Sequence, residues 1–270
     1  MNPSFSHIQM VAIDCDETLL RSDNTVSEYT KDVLHRLQDK GVRITIATGR
    51  MYQTAKPVGM SLQLGNVPMI LFSGGLIQEL ESGRKLFERT VPLDTVQRIW
   101  KLASQYGWHI QSYVDDHLLC HHQDWQSDLY ECQTGAKAEF LGDSLYELSR
   151  EPNKLIAIDT VENIDSIIDT LTPIVGDFAT LVRSQKDFLE IIASHVSKGD
   201  ALEQLSRQYG IGLEHIVSFG NAENDISMLS KTGYSVAVEN AVDHVKSVAC
   251  EVCGHHNEDG VAHWIEEHLL

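Results

Sequence analysis

Basic charge is scarce in this 270-residue chain: 21 Lys and Arg stand against 39 Asp and Glu, a formal net charge of −18. That balance argues against nucleic-acid backbones and anionic membrane surfaces as partners, since both need a basic patch. A small anionic substrate needs only a few local cations and stays open. Long apolar runs are missing too. None approaches the ~20 residues of a membrane span, and the opening MNPSFSH lacks the basic-then-apolar layout of a signal peptide. The five cysteines are an odd number in a long chain, which predicts reduced thiols and a cytoplasmic setting. Repeats and low-complexity tracts are absent. What remains is an ordinary globular composition, 42% hydrophobic and 22% charged. The chain is longer than one typical domain, so two domains or one domain with a large insertion are expected.

The most informative stretch is Ile8 to Leu20, IQMVAIDCDETLL. The apolar run Met10 to Ile13 reads as a strand of a parallel sheet, buried on both faces. It ends in two acids, Asp14 and Asp16. Ligands of open α/β sheets sit just beyond such strand ends, and alternation along the backbone points both carboxylates one way. Two neighbouring acids repel unless a cation or a shared proton relieves them. The pair therefore suits a divalent metal site with one carboxylate free to attack and the other to move a proton. On this stretch alone, two ordinary acids in a βα turn explain it equally well.

Further strand ends add chemistry. Ser27 predicts a helix cap, with Val33, Leu34 and Leu37 at helical spacing and Gly41 as terminator. The strand Val42 to Ala47 ends in Thr48, Gly49 and Arg50, a hydroxyl and a bare backbone suited to an anion. A third strand is expected over 68–75, and this alternation predicts a doubly wound, Rossmann-like α/β sheet. From ELESGRK the character changes to helices and hairpins, which predicts an inserted α+β module over 84–186 within a core of 1–83 and 187–270. Parallel-sheet chemistry then resumes. Lys198 opens a helix, a place the macrodipole disfavours for a cation unless both face one anion. The strand His215 to Phe219 breaks at Gly220 into a predicted helix with Asn221, Asn224 and Asp225 on one face. YSVAVEN and SVACEV are read as two more strands before a closing helix.

These parts, a nucleophile-like Asp, a second Asp, a hydroxyl, a Lys and oxygen ligands, are those of phosphoryl transfer to an aspartate. The motifs DCDETLL, ATGR, VSKGDAL, GNAENDISML, VEN-A at 238–241 and EDGVAHWIE resemble the haloacid dehalogenase (HAD) superfamily, and more closely its Cof-type sugar-phosphatase branch. The resemblance implies a HAD core with an inserted cap that closes over the substrate. It implies a Mg²⁺-dependent phosphatase of small phosphorylated metabolites, acting as a monomer or homodimer. Asp14 would attack phosphorus, and Asp16 would protonate the leaving alcohol and then activate water. Thr48 and Lys198 would bind the phosphoryl group, with Gly49 and Asn224 on the substrate and Arg50 bracing either the site or the substrate. Mg²⁺ would be held by Asp14, the carbonyl of Asp16 and the side chain of Asn221, supported by Asp225.

Three positions depart from the family pattern. Glu17 stands where Gly or Asp is usual, and Gly74 in SGGLI takes the place of a typical Asn, which would remove a hydrogen bond. Asn221 stands where the family has Asp. A carboxamide keeps an oxygen ligand but loses a charge, which predicts Mg²⁺ binding weaker by ~10–100-fold. That loss motivates an alternative, a catalytically weakened phospho-ligand-binding relative; a phosphomutase is a third reading. Cys250, Cys253, His255 and His256, with Cys120-His121-His122, offer a zinc pattern, but one CxxC without a second pair is a weak one.

Overall fold

The computed structural model describes residues 5–270. The chain forms two compact units, one built from the described residues up to Phe87 together with Ser197–Leu270, the other from Glu88–Val196.

The first unit is built on an eight-stranded sheet. Its order is Glu251–Val252, Tyr234–Ala237, Ile216–Gly220, Met10–Asp14, Arg43–Ala47, Pro68–Leu71, Leu76–Glu79 and Lys85–Glu88. The Met10–Asp14 strand lies inside, parallel to both neighbours, with Met10 opposite Ile216 on one side and Arg43 on the other. Met10, Val11 and Ile13 are wholly buried, a gain of roughly 1.5–3 kcal/mol for each such side chain. That gain offsets the cost of carrying Asp14 into the interior at the strand's end. Sequential strands run outward from here in both directions, so the crevice between Met10–Asp14 and Ile216–Gly220 is the topological switch point.

The flanking helices form for local reasons. The Ser27 hydroxyl accepts the Thr30 N–H at 3.0 Å and starts Glu28–Asp39, which buries Val33, Leu34 and Leu37. Ser197 caps Lys198–Tyr209 in the same manner, and its Ala201, Leu202 and Leu205 pack with Met10, Ala12, Ala47 and Ile70.

Two expectations are corrected in this unit. The strand expected over 68–75 stops at Leu71, because Phe72 and Ser73 adopt left-handed backbone (φ 50° and 53°) and Gly74 follows at φ +113°. The chain then returns antiparallel as Leu76–Glu79. SVACEV is not one strand. Its first residues end the helix Asp243–Val248, and only Glu251–Val252 pairs with the sheet.

The second unit holds a six-stranded sheet in the order Ala179–Gln185, Phe188–Ala193, Lys154–Ile158, Ile110–Val114, His117–Cys120 and Ala138–Phe140. Its pairs are antiparallel except the last, which is parallel. The helices Leu93–Tyr106 and Val161–Val175 cover one face, where Val96, Ile99, Trp100, Ile164 and Leu171 meet Ile110, Leu155 and Ile191. Asp115 and Asp116 both take positive φ, the backbone of a two-residue hairpin turn. The unit runs past residue 186, because Phe188–Ala193 pairs with both Ala179–Gln185 and Lys154–Ile158. No helix among the described residues is long and apolar enough to cross a membrane.

Candidate active site

Three charged side chains meet at the switch point. Asp14 ends the central strand, and Lys198 is the first residue of its helix. Lys198 Nζ lies 2.5 Å from Asp14 Oδ1 and 2.6 Å from Asp225 Oδ1. Their side chains are 1%, 6% and 0% exposed, so none could stay ionised alone at a cost of several kcal/mol per ion. Burial works against the Lys198 charge, but Asp14 and Asp225 outweigh it and hold the ammonium above its usual range. Burial first, and the Asp225 carboxylate second, push Asp14 up to about 7 against the pull of Lys198. Two carboxylates around one ammonium leave an excess of negative charge, a state that a further cation or a proton relieves.

Asp225 has both oxygens engaged. Oδ1 meets Lys198, and Oδ2 accepts the N–H groups of Asn221 and Ala222 at 2.9 and 3.0 Å. It braces the turn after the Ile216–Gly220 strand more than it offers an open ligand. Gly220 is required here, since a Cβ would lie 2.5 Å from that of Asp225. The helix expected from Asn221 is also corrected. Asn221 precedes a 3-10 turn, Glu223–Asp225, and the α-helix covers only Ile226–Leu229. Asn221, Asn224 and Asp225 therefore do not share a helix face. The Thr18 hydroxyl donates to Asn221 Oδ1 at 3.1 Å.

A second group gathers on Asp16. Its backbone is extended (φ −76°, ψ 127°) and its side chain is 49% exposed. Arg50 Nε donates to both Asp16 oxygens, at 3.1 and 3.0 Å, and Arg50 Nη2 bonds Oδ1. Thr48 is buried at the end of the Arg43–Ala47 strand, with its Oγ1 accepting the Arg50 N–H at 3.1 Å and lying 3.5 Å from Asp16 Oδ2. The left-handed pair Phe72 and Ser73 clamps this loop: Ser73 N–H donates to the Thr48 carbonyl and Phe72 N–H to that of Arg50. Asn224 Nδ2 reaches Ser73 Oγ at 3.4 Å, and a Cβ on Gly49 would come within 3.3 Å of that same oxygen. Gly49, Ser73 and Asn224 thus form one wall, while Arg50 is turned onto Asp16.

Three contributors have roles that the sequence does not assign, although Thr18 and Asn240 lie within quoted motifs. Thr18 and Ser73 carry no pattern of their own and are found only through their partners. Asn240, within VEN-A, donates to the Glu17 carbonyl at 2.8 Å. Glu17 sits at φ 55°, a region that suits Gly or Asp better than Glu, which explains the usual residues there.

Gly74 also needs correction. A Cβ at 74 would lie 2.2 Å from the Ser197 carbonyl oxygen, so no Asn fits there. The left-handed position that suits Asn is the preceding one, Ser73.

The zinc pattern is dispersed by other partners. Cys250 faces Ser235, Cys253 Sγ meets the Gly254 carbonyl, His255 Nδ1 accepts the Asn257 N–H, and His256 bonds the Leu20 carbonyl. Among the described residues no three His, Cys, Asp or Glu side chains gather in a way that could hold an ion.

The family model of haloacid dehalogenase-like hydrolases matches residues 11–265. The chain is 29% identical over 267 residues to the 5-amino-6-(5-phospho-D-ribitylamino)uracil phosphatase of Bacillus subtilis, covering 96% of this chain and 97% of that one. It is 29% identical to the HMP-PP phosphatase of Yersinia pestis, covering 97% and 95%. A crystal structure from Thermotoga maritima superposes with a TM-score of 0.89 at 27% identity, covering 96% and 97%.

Proposed function

Because the chain belongs to the haloacid dehalogenase-like hydrolase family, we propose that it hydrolyses phosphomonoesters of small metabolites, sugar phosphates foremost, through a covalent phosphate on Asp14. The observation that carries this reading is the buried Lys198 held between Asp14 and Asp225. A cation at that depth suits an anion bound beside it, and Asp14 is the carboxylate at its side.

In the first step, an oxygen of Asp14 bonds to phosphorus as the ester P–O bond breaks, and Asp16 gives its proton to the departing alkoxide. In the second step, Asp16 takes a proton from water as the water oxygen bonds to phosphorus. The bond to Asp14 then breaks and inorganic phosphate leaves. Thr48 Oγ1 and Lys198 Nζ balance charge on the phosphoryl oxygens. The second unit, Glu88–Val196, is proposed as the cap whose loops set the substrate.

A divalent cation, Mg²⁺ first, fits this site in kind: the donors are the hard oxygens of Asp14, the Asp16 carbonyl and Asn221, with Asp225 bracing them. The excess negative charge around Lys198 is consistent with such an ion, although Asn221 contributes no charge of its own. When bound, the ion would neutralise phosphoryl charge. The carboxamide also favours a second reading, a relative that binds phosphorylated ligands and turns them over slowly.

The test is release of inorganic phosphate from p-nitrophenyl phosphate and a panel of phosphorylated metabolites with Mg²⁺, using Asp14→Asn as the blank. Turnover lost in Asp14→Asn supports the hydrolase. Tight ligand binding with no release favours the binding protein, and interconversion of sugar phosphates without release favours a mutase.

A further inference from the structure

We propose that Arg50 is a positioning residue for Asp16, its guanidinium fork fixing the acid–base carboxylate in place instead of binding the substrate. The inference rests on the phosphatase reading above.

Every nitrogen of the guanidinium faces an acceptor of the protein itself. Nε donates to both Asp16 oxygens, at 3.1 and 3.0 Å. Nη2 bonds Asp16 Oδ1 and also Asn24 Oδ1, the latter at 3.1 Å. Nη1 points to the Thr54 carbonyl at a long 3.5 Å. The backbone of Arg50 is pinned at both ends, its N–H on Thr48 Oγ1 and its carbonyl under the Phe72 N–H. An arginine awaiting a phosphate would present donors to the open crevice. This one is turned onto a carboxylate.

Asp16 needs such a holder. Its side chain is half exposed, and it precedes Glu17 in left-handed backbone, so the main chain does little to restrict it. A pair this exposed contributes little to stability, which leaves geometry as its use. The planar fork sets both the position and the plane of the carboxylate, something a lysine's point charge cannot do.

The two oxygens are held unequally. Oδ1 takes Nη2 and shares Nε, whereas Oδ2 has Nε at 3.0 Å and the Thr48 hydroxyl at 3.5 Å. Both oxygens are held, and the Thr48 contact on Oδ2 is the longest of the four, so Oδ2 is assigned as the oxygen that works on the proton. Oδ2 gives its proton to the departing alkoxide and takes one back from the attacking water, so the proton count closes over a turnover.

The test compares wild type, Arg50→Gln, Arg50→Lys, Asp16→Asn and the double variant Arg50→Gln/Asp16→Asn on glycerol phosphate and p-nitrophenyl phosphate. Arg50→Gln is expected to lower kcat on glycerol phosphate about 10–100-fold, part of the ~10²–10⁴ that a placed acid–base supplies, with KM nearly unchanged. The loss should be smaller on p-nitrophenyl phosphate, whose leaving group needs no proton. Arg50→Lys, which keeps the charge and loses the fork, should behave like Arg50→Gln. In the Asp16→Asn background, Arg50→Gln should change kcat no further. A raised KM with kcat retained, or losses that multiply in the double variant, would overturn the inference. A wild type inactive on these two substrates and on the whole panel of phosphorylated metabolites would instead remove the phosphatase reading, and this inference with it. Unfolding midpoints of the single variants matching wild type would exclude misfolding as the cause.

Discussion

Thr18 and Asn221, 203 positions apart in the chain, are joined by a hydrogen bond of 3.1 Å from the hydroxyl to the amide oxygen. The contact fixes which way the carboxamide faces, and it occupies one lone pair of the only side-chain oxygen Asn221 has. Asn221→Asp would keep that bond and add a second oxygen with a full charge. The variant should bind Mg²⁺ about 10–100-fold more tightly by isothermal titration calorimetry, a range typical of disturbed metal sites. It should also melt lower than wild type in chelator, since it places a third carboxylate near Asp14 and Asp225. Wild-type half-saturation at ordinary micromolar Mg²⁺ would refute the argument.

Lys198 is expected to be as important to folding as to chemistry. Removing one partner from a buried ion pair costs about 3–5 kcal/mol, because the other charges stay behind without it. Lys198→Met leaves Asp14 and Asp225 facing each other in the interior. Its urea midpoint should fall by that equivalent, with activity lost as well. A midpoint equal to wild type would show that the carboxylates shed their charge at no cost.

Asp14 carries the opposite lesson. Its folded pKa stands near 7, above the ordinary 3.8, chiefly through burial. A carboxyl raised on folding stabilises the fold below its unfolded value, and that contribution is lost as pH rises toward 7. Between about pH 4 and 7 the native state holds a proton that the unfolded chain has released, so stability declines across this window. Asp14→Asn has no such proton. In chelator, its unfolding midpoint should exceed that of wild type at pH 8 and approach it at pH 5, a trade of stability for a nucleophile. Equal pH profiles for the two proteins would contradict the shift.

How much of this was readable from residues alone follows from which interactions are local. The strand Met10–Asp14, the Ser27 cap and the helix opening at Lys198 are set by neighbours a few positions away, and each stands where hydrophobic pattern and helix signals place it. The candidate site was legible as residue types at strand ends, because the switch point of an α/β sheet collects whatever those ends carry. Backbone sign was not legible. Phe72 and Ser73 are apolar and polar residues of ordinary kind, and only the crossing with Thr48 and Arg50 shows why they turn left-handed. The direction in which Arg50 points was equally hidden, since a Thr-Gly-Arg loop suits an anion and a carboxylate alike. The end of the second unit is set by the pairing of Phe188–Ala193 with Lys154–Ile158, a contact distant in sequence that no local pattern signals.

The turn after Leu71 gives the last test, because it separates two adjacent residues that the sequence pattern confuses. At Gly74, φ is +113° and a side chain would strike the Ser197 carbonyl at 2.2 Å, with the Lys198 nitrogen 3.2 Å away. Nothing flexible stands there to yield. Gly74→Ala should therefore cost about 3 kcal/mol or more, combining backbone strain with a clash against main chain. Relief of that clash would push the Ser197 cap, and Lys198 with it, away from Asp14, so kcat should fall along with the denaturation midpoint. At Ser73, φ is 53° and the side chain is only partly buried. Asn tolerates that backbone better than Ser, so Ser73→Asn should hold or raise the midpoint, by up to ~1 kcal/mol. Denaturation curves for the two variants, run beside Gly74→Asn, decide the matter. If Gly74→Asn matched wild type, the site's Lys198 side would have more freedom than this crowded crossing allows.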